Sequence, residues 1–434
     1  MSAPANMFPL RKSRYYVSVA FVLGFASSIA QVLLIRELLT IFRGNEFIIG
    51  MIFTGWFLGI FFGARYNPRT GADALERRVN LSLLLLPVVL FVMLVIVHFT
   101  PVMFTRPAGS FYPLSVEFSL SLLYTIPTSF FVGFFFPPVI SLGAAFFGEK
   151  SGGVMYLVES LGAFLGGLLF SFVLIDCLNP FAVCAILMLL SCLLYLAGRG
   201  SLALAPLLAL PVALIIFSGE LERGVFKYLW NRTQSGTLIA YKRTRHQTLA
   251  LGFNERQIAV YGDGILFYTI PDAYEVRNLF HLINSLRNNG SDEMLLFGVG
   301  PGSLPYNLVR TDLRSLEYCE VDPRLWDTVK PYRERFYRPA APDDKLAVVP
   351  LDVRYHLAQT GRKYDMIVCL PPMPHNAMLN RFFTREFFSM CRERLKDDGI
   401  FITALKGFSS YIDDEQRCYV GSIYKAFSRV FPSQ

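Results

Sequence analysis

Seven apolar runs crowd the first half of the chain, near residues 15–35, 47–64, 80–99, 116–147, 154–175, 180–198 and 201–218. About 20 apolar residues cross the hydrocarbon core of a bilayer as a helix, and a backbone placed there must satisfy its own hydrogen bonds. Runs of this length, joined by short polar connections, restrict that half to a multi-span helical membrane domain. Composition agrees, with 53% of the 434 residues hydrophobic, 17% charged and 40 of them Phe, far from an ordinary soluble domain. The first run is too long, and too poor in a small-residue cleavage site, to be a removable signal peptide. The fourth exceeds one straight crossing and holds Pro127, Pro137 and Pro138, so a kink or a break is expected there. The seventh holds Pro206 and Pro211 and reads as a partial or interfacial span, which leaves six or seven crossings.

Arg11, Lys12 and Arg14 precede the first span, and Arg65, Arg69, Arg77 and Arg78 connect the second to the third. The positive-inside bias places both regions, and the amino terminus, in the cytoplasm. Six crossings leave the remainder of the chain inside; seven leave it outside. The expectation is a cytoplasmic soluble domain. The formal charge of +8 is spread along the chain with no recognition module, so the lipid bilayer, and not nucleic acid, is the expected partner. Seven cysteines without CxxC spacing indicate neither a zinc site nor a disulfide framework, and no metal is expected.

Three charges fall in or beside the spans: Arg36, Glu37 and Glu159. Ionisable groups there face a partner or a cavity. Arg36 and Glu37 also fit the interface, with snorkelling side chains. Glu159 lies in "MYLVESLGAFLGG", where Gly162 and Gly166 permit close helix approach, and a buried pair of Arg36 with Glu159 is the expectation.

From about Gly219 charged residues become frequent and apolar runs shrink to strand length. The division expected is a transmembrane domain over 1–218, a linker and small antiparallel β-domain over 219–272, and a methyltransferase-like α/β domain over 273–434. The runs "GTLIAYKRT", "QTLALGF", "RQIAVYGDG" and "ILFYTI" make the β-unit. Then "MLLFGVG", "SLEYCEV", "LAVVPLD", "YDMIVCL" and "GIFITAL" alternate with helical stretches, the pattern of a Rossmann-like, doubly wound parallel sheet. Ligands of such sheets sit at the carboxyl ends of the strands. Gly298, Gly300 and Gly302 end the first strand, where missing side chains let backbone N–H groups approach a ligand; the plainer role is a tight strand-to-helix turn. Glu320 ends the second strand, placed to take both hydroxyls of a ribose, or to be a solvated loop acid. Asp352 ends the third, within reach of an adenine amino group. Three successive strand ends of this kind point to an adenosine pocket.

"LLFGVGPGSLPYNLVR", "LEYCEVDPRLWD", "VVPLDVRYHL" and "LNRFFTREFFSMCRERLKDDGIFIT", in that order after the β-unit, resemble the spermidine synthase (polyamine aminopropyltransferase) family. "GFASSIAQVLLIREL" and "YLVESLGAFLGGLLFSFVLI" are similar to spans of its bacterial branch with an N-terminal multi-span membrane region. The resemblance implies a bacterial inner-membrane location, a small β-domain capping the sheet, and decarboxylated S-adenosylmethionine or a related adenosyl nucleoside as ligand. It places Gly298, Gly300, Gly302, Glu320 and Asp352 on the nucleoside site and Gln247 on the glutamine of the family's "YQ" pair.

The departures bear on activity. Aminopropyl transfer needs a carboxylate to take a proton from the attacking amine and an acidic pocket for the polyamine cation. The family carries D-x-x-D-P at the end of the fourth strand; here residues 369–374 read "CLPPMP", with Met373 at the second Asp and Leu370, or Cys369, at the first. The polyamine-gripping "YHE" becomes Val276, Arg277 and Asn278, and the Asp of the glycine loop becomes Pro301. Asp272 alone survives, and it also suits a helix cap. After a helix of about 412–430 the sequence stops at "FPSQ", so the sheet is expected to lack its last hairpin. Three functions stay open: transfer from an adenosyl sulfonium to a non-polyamine acceptor, a catalytically silent module in a membrane scaffold or larger membrane complex, and a transporter-like protein, for which a second repeat is missing.

Overall fold

The computed structural model of the chain describes residues 7–66, 71–105, 111–199, 206–244, 246–254, 256–271, 274–287, 292–333, 343–374, 376–405 and 414–432. It divides into two compact units, Met1–Gln234 and Ser235–Gln434.

The first unit is helical: α1 (Met7–Ile41), α2 (Phe47–Arg65), α3 (Ala72–Met103), α4 (Leu114–Phe147), α5 (Ser151–Leu169), α6 (Ile175–Cys177), α7 (Pro180–Arg199) and α8 (Ala209–Thr233). Five described segments are long and apolar enough to cross a membrane, by length and composition: Lys12–Ile41, Phe47–Arg65, Ala72–Met103, Leu114–Cys177 and Pro180–Gly198. The fourth is two helices, because Gly148, at φ +54°, and the turn Gly148–Lys150 separate α4 from α5. That turn lies between the fourth and fifth spans of the sequence, and α4 itself runs as one helix through all three prolines, without the break. Pro138 leaves the carbonyl of Phe134 without its helical donor, and Arg78 Nη2 donates to that oxygen at 3.2 Å.

Glycines set the closest helix contacts. A Cβ on Gly162 would stand 2.1 Å from the Phe21 carbonyl oxygen, and one on Gly133 would stand 2.1 Å from that of Ile60, so α1 meets α5 and α4 meets α2 backbone to backbone. This close packing overturns the pairing of Arg36 with Glu159. The Glu159 main chain abuts Gly24, twelve residues before Arg36 and so about 18 Å along α1. Arg36 Nη1 donates instead to Ile175 O at 3.3 Å. The carboxylate partnered by an imidazole is Glu37, whose Oε2 lies 3.3 Å from His98 Nε2, while His98 Nδ1 lies 2.8 Å from Leu94 O.

The same contacts fix direction. Tyr15 donates to Asn80 and abuts Gly198, whereas Glu37 and Phe181 meet His98. Hence α1 and α3 run together and α7 runs against them. Helix α8 returns along α3 and α7 and brings Tyr228 to 5.7 Å from the Phe99 ring. Of the seventh candidate span, 201–205 lie outside the described residues, and α8 continues past 218 to Thr233 with Glu220, Glu222, Arg223 and Lys227 from its middle onward.

The second unit opens with an antiparallel meander of β1 (Thr237–Arg243), β2 (Thr248–Asn254), β3 (Gln257–Gly262) and β4 (Ile265–Ile270). Then come α9 (Tyr274–Ser285), β5 (Glu293–Phe297), α10 (Ser303–Val309), β6 (Ser315–Cys319), α11 (Pro323–Arg333), β7 (Leu346–Val349), α12 (Val353–Gln359), β8 (Tyr364–Cys369), α13 (Ala377–Asn380), α14 (Arg385–Arg394), β9 (Leu395–Thr403) and α15 (Asp414–Ser428). The five later strands form a parallel sheet, order β7-β6-β5-β8-β9. Alternation along β5 sends Leu295 and Phe297 toward Phe387 and Phe388 of α14, and Met294 and Leu296 toward Leu304 and Leu308 of α10. Both faces are thereby covered, as an all-parallel sheet requires.

One charge is buried in the sheet. Glu317 of β6 accepts from Tyr364 Oη at 2.7 Å and lies 3.0 Å from His356 Nε2, with Arg362 on its other oxygen. Burial opposes ionisation, but the hydrogen bonds from Tyr364 and Arg362 and the charge of Arg362 outweigh it and hold the carboxyl below its usual range. Its contribution to stability is therefore complete above the ordinary value of 4.5 and is lost as pH falls through the depressed one. Glu317→Ala is expected to destabilise this unit by about 3–5 kcal/mol at pH 7; a urea midpoint unchanged from that of the parent contradicts this.

Candidate functional site

Strand order reverses between β5 and β8, so the crevice of this sheet lies outside their carboxyl ends. Four turns border it: 298–302 after β5, 320–322 after β6, 350–352 after β7 and 370–374 after β8.

Gly298 and Gly300 sit at φ +87° and +67°, which L side chains adopt at a cost. Space excludes side chains as well. A Cβ on Gly298 would stand 2.4 Å from Pro371 N, and one on Gly300 would stand 2.1 Å from Tyr268 Cε1 of β4. Gly302 differs: its φ of −76° is ordinary, and it precedes the first turn of α10. Strain and overpacking together set the cost of Gly298→Ala at roughly 2–5 kcal/mol. Gly300→Ala should cost less, because a tyrosine ring can rotate away and the backbone of 370–371 cannot. Thermal melts in which Gly300→Ala is the more damaging would refute the ordering.

Glu320 is half-buried at the end of β6. Its Oε2 accepts from Tyr318 Oη and its Oε1 from the Asp322 N–H, both at 3.1 Å. Burial nonetheless pushes the carboxyl up to about 7, so hydrogen bonding only partly offsets desolvation. Tyr318 in turn packs on Trp326, ring centroids 5.1 Å apart, and Trp326 on Tyr306 at 6.0 Å.

The other anticipated residues are placed less simply. Gln247 Nε2 points to Asp322 Oδ2, at 3.4 Å, and the Thr244 hydroxyl donates to the same oxygen at 2.7 Å. Gln247 thus helps pin the β-meander to the end of β6. Asp352 caps α12, accepting from the Arg354 N–H at 2.9 Å, and pairs with Arg381 Nη2 at 2.5 Å. An adenine amino group would have to compete with Arg381 for it. In 370–374, Leu370 N donates to Phe297 O and Pro374 O accepts from Tyr419 Oη at 3.1 Å, which fixes a turn containing no acid. Val276 packs into the core, Arg277 and Asn278 are exposed, and Asp272 lies outside the described residues.

Sequence reasoning missed Asp322 and Tyr268. Asp322 is buried, anchors Thr244 and Gln247, and gives its N–H to Glu320. Its only signal was an Asp-Pro step opening α11. Tyr268 stands against the glycine turn and looked like any aromatic in a strand.

A glycine turn after the first strand and a carboxylate after the second, on a doubly wound parallel sheet, define a Rossmann-like class. More narrowly, residues 274–430 match the family model of the spermine/spermidine synthase domain. The match lies wholly within the C-terminal unit. Similar proteins include the polyamine aminopropyltransferase of Oceanobacillus iheyensis, 24% identical over 165 residues that cover 37% of this chain and 32% of the relative. Polyamine aminopropyltransferase 1 of Streptomyces coelicolor is 24% identical over 272 residues, covering 56% of this chain and 49% of the relative. A crystal structure of spermidine synthase in complex with the transition-state analogue AdoDATO is 18% identical, with a TM-score of 0.37 over 45% of this chain and 64% of that one. The chain thus spans about a third to a half of the length of these two curated relatives.

Proposed function

We propose that the chain is a membrane-anchored, spermidine synthase-like protein whose C-terminal crevice binds an adenosyl nucleoside, decarboxylated S-adenosylmethionine or a relative, and does not transfer an aminopropyl group to a diamine. The observation that carries this reading is the Glu320 carboxylate, held at a strand end by Tyr318 and the Asp322 N–H beside the glycine turn, while 370–374 hold no acid. Any group transfer would go to an acceptor that is not a polyamine cation. The ion pair of Asp352 with Arg381 favours a second reading, a silent domain within a membrane scaffold or larger membrane complex. Calorimetric titration of the purified protein with decarboxylated S-adenosylmethionine, S-adenosylmethionine and methylthioadenosine separates the two. Heat from at least one supports the nucleoside site, and silence from all three supports the scaffold.

Adenosyl cosubstrates are made in the cytoplasm, and the nucleoside reading wants the crevice there. The return of α8 toward the His98 end of the bundle makes this placement compete with the charge bias of Arg11, Lys12 and Arg14. The charges of α8 argue against a full crossing, since each costs about 2.5–3.5 kcal/mol at mid-membrane. Asn254→Cys, with the exposed Cys177 and Cys418 changed to Ser, should stay unlabelled by an impermeant thiol reagent in intact spheroplasts. Strong labelling places the crevice outside.

A further inference from the structure

We infer that Tyr268 gates the nucleoside site: its ring stands over the glycine turn, and an adenosyl ligand is admitted when that ring swings away. The inference rests on reading the crevice as a nucleoside site. Three atoms of the ring, Cε1, Cδ1 and Cζ, lie 2.1–2.8 Å from the point a Gly300 Cβ would occupy. The ring therefore fills the side-chain space of Gly300, one of the two glycines whose positive φ shapes the turn. The Gly300 backbone also bears on the Tyr318 hydroxyl, which itself donates to Glu320. Gly300 thus has the Tyr268 ring where a ligand approaching the turn would lie against it.

Tyr268 is built to move where Tyr318 is not. Tyr318 is fully buried in a central strand and wedged against Trp326. Tyr268 is only partly buried, with its hydroxyl inside, and lies on β4, one of the two edge strands of the meander, where pairing with β3 is irregular between Val260 and Tyr261. Rotation about one or two side-chain torsions removes the ring from the turn and leaves the strand in place. The ligand class that fits the cleared space is a nucleoside with a free ribose, because the acceptor next to it is the Glu320 carboxylate. A site closed in this way weakens the ligand by the fraction of molecules with the ring out.

Methylthioadenosine, titrated into the intact detergent-solubilised protein, tests the gate in the parent, Tyr268→Ala and Tyr268→Phe. Removing the ring should tighten binding about tenfold or more, and the phenylalanine variant should bind like the parent. Unchanged or weaker binding by Tyr268→Ala overturns the gate, leaving the nucleoside site intact if the parent binds. Absence of binding in all three proteins, with parental melting temperatures, overturns both. If Tyr268→Ala does not fold, Tyr268→Leu is read by the same criteria.

Discussion

Supplied with putrescine and decarboxylated S-adenosylmethionine, the protein is expected to form spermidine 10² to 10⁴ times more slowly than a family enzyme with its acids in place, on the order of magnitude that loss of a general base costs. The attacking amine must lose a proton, and residues 370–374 after β8 hold no carboxylate to take it. Cys369 is buried and its thiol is pushed well above its ordinary value by desolvation, so it cannot substitute. Leu370 and Met373 have no basic atom suited to the task. Arg277 adds a positive charge on the helix where the family grips a cationic substrate. Growth of a spermidine-requiring bacterial strain on this chain would refute the expectation.

Glu320→Ala is expected to weaken nucleoside binding by roughly 30-fold to 1000-fold, on the order of 2–4 kcal/mol. A ribose presents two hydroxyl donors to one carboxylate, and charge-assisted bonds of this kind are about twice as strong as neutral ones. Stability should move the other way. A carboxyl whose folded value is raised from 4.5 to about 7 binds more protons folded than unfolded between those values. Stability therefore falls as pH rises through that window, by about 3 kcal/mol in all, and stays lower above it. Glu320→Gln should melt higher than the parent at pH 8 and alike at pH 4. A variant that melts lower at pH 8 would show that the bonds from Tyr318 and Asp322 outweigh the burial.

The strands of the sheet were legible because each is a short apolar run ended by a turn residue, and burial on both faces demands that pattern. Glu320 was legible because it ends such a run about 20 residues after a glycine turn. Its environment was not: a strand-end acid suggests an open crevice, and only the fold reveals Tyr318 beneath it and the Asp322 N–H beside it. Arg36 and Glu159 show a different limit. Two charges on neighbouring spans invite pairing, but the contact of Gly24 with Glu159 sets an axial offset that no single-chain pattern encodes. Likewise Pro127, Pro137 and Pro138 promise a break, and nothing local says that Arg78, on another helix, serves the carbonyl freed by Pro138. Asp322 and Tyr268 escaped notice because their meaning lies in partners distant in sequence: Thr244 and Gln247 for one, Gly300 for the other.

The most direct measurement is the affinity for methylthioadenosine as a function of pH, in the parent and in Glu320→Gln. Ribose hydroxyls donate to an ionised Glu320, and protonation replaces an acceptor by a competing donor. With the free carboxyl near 7, the parent should bind about tenfold more weakly for each pH unit below 7 and level off above 8. The glutamine variant should bind weakly at every pH, with no slope. A parent that binds tightly and equally from pH 5 to pH 9, or that binds at no pH, contradicts the account.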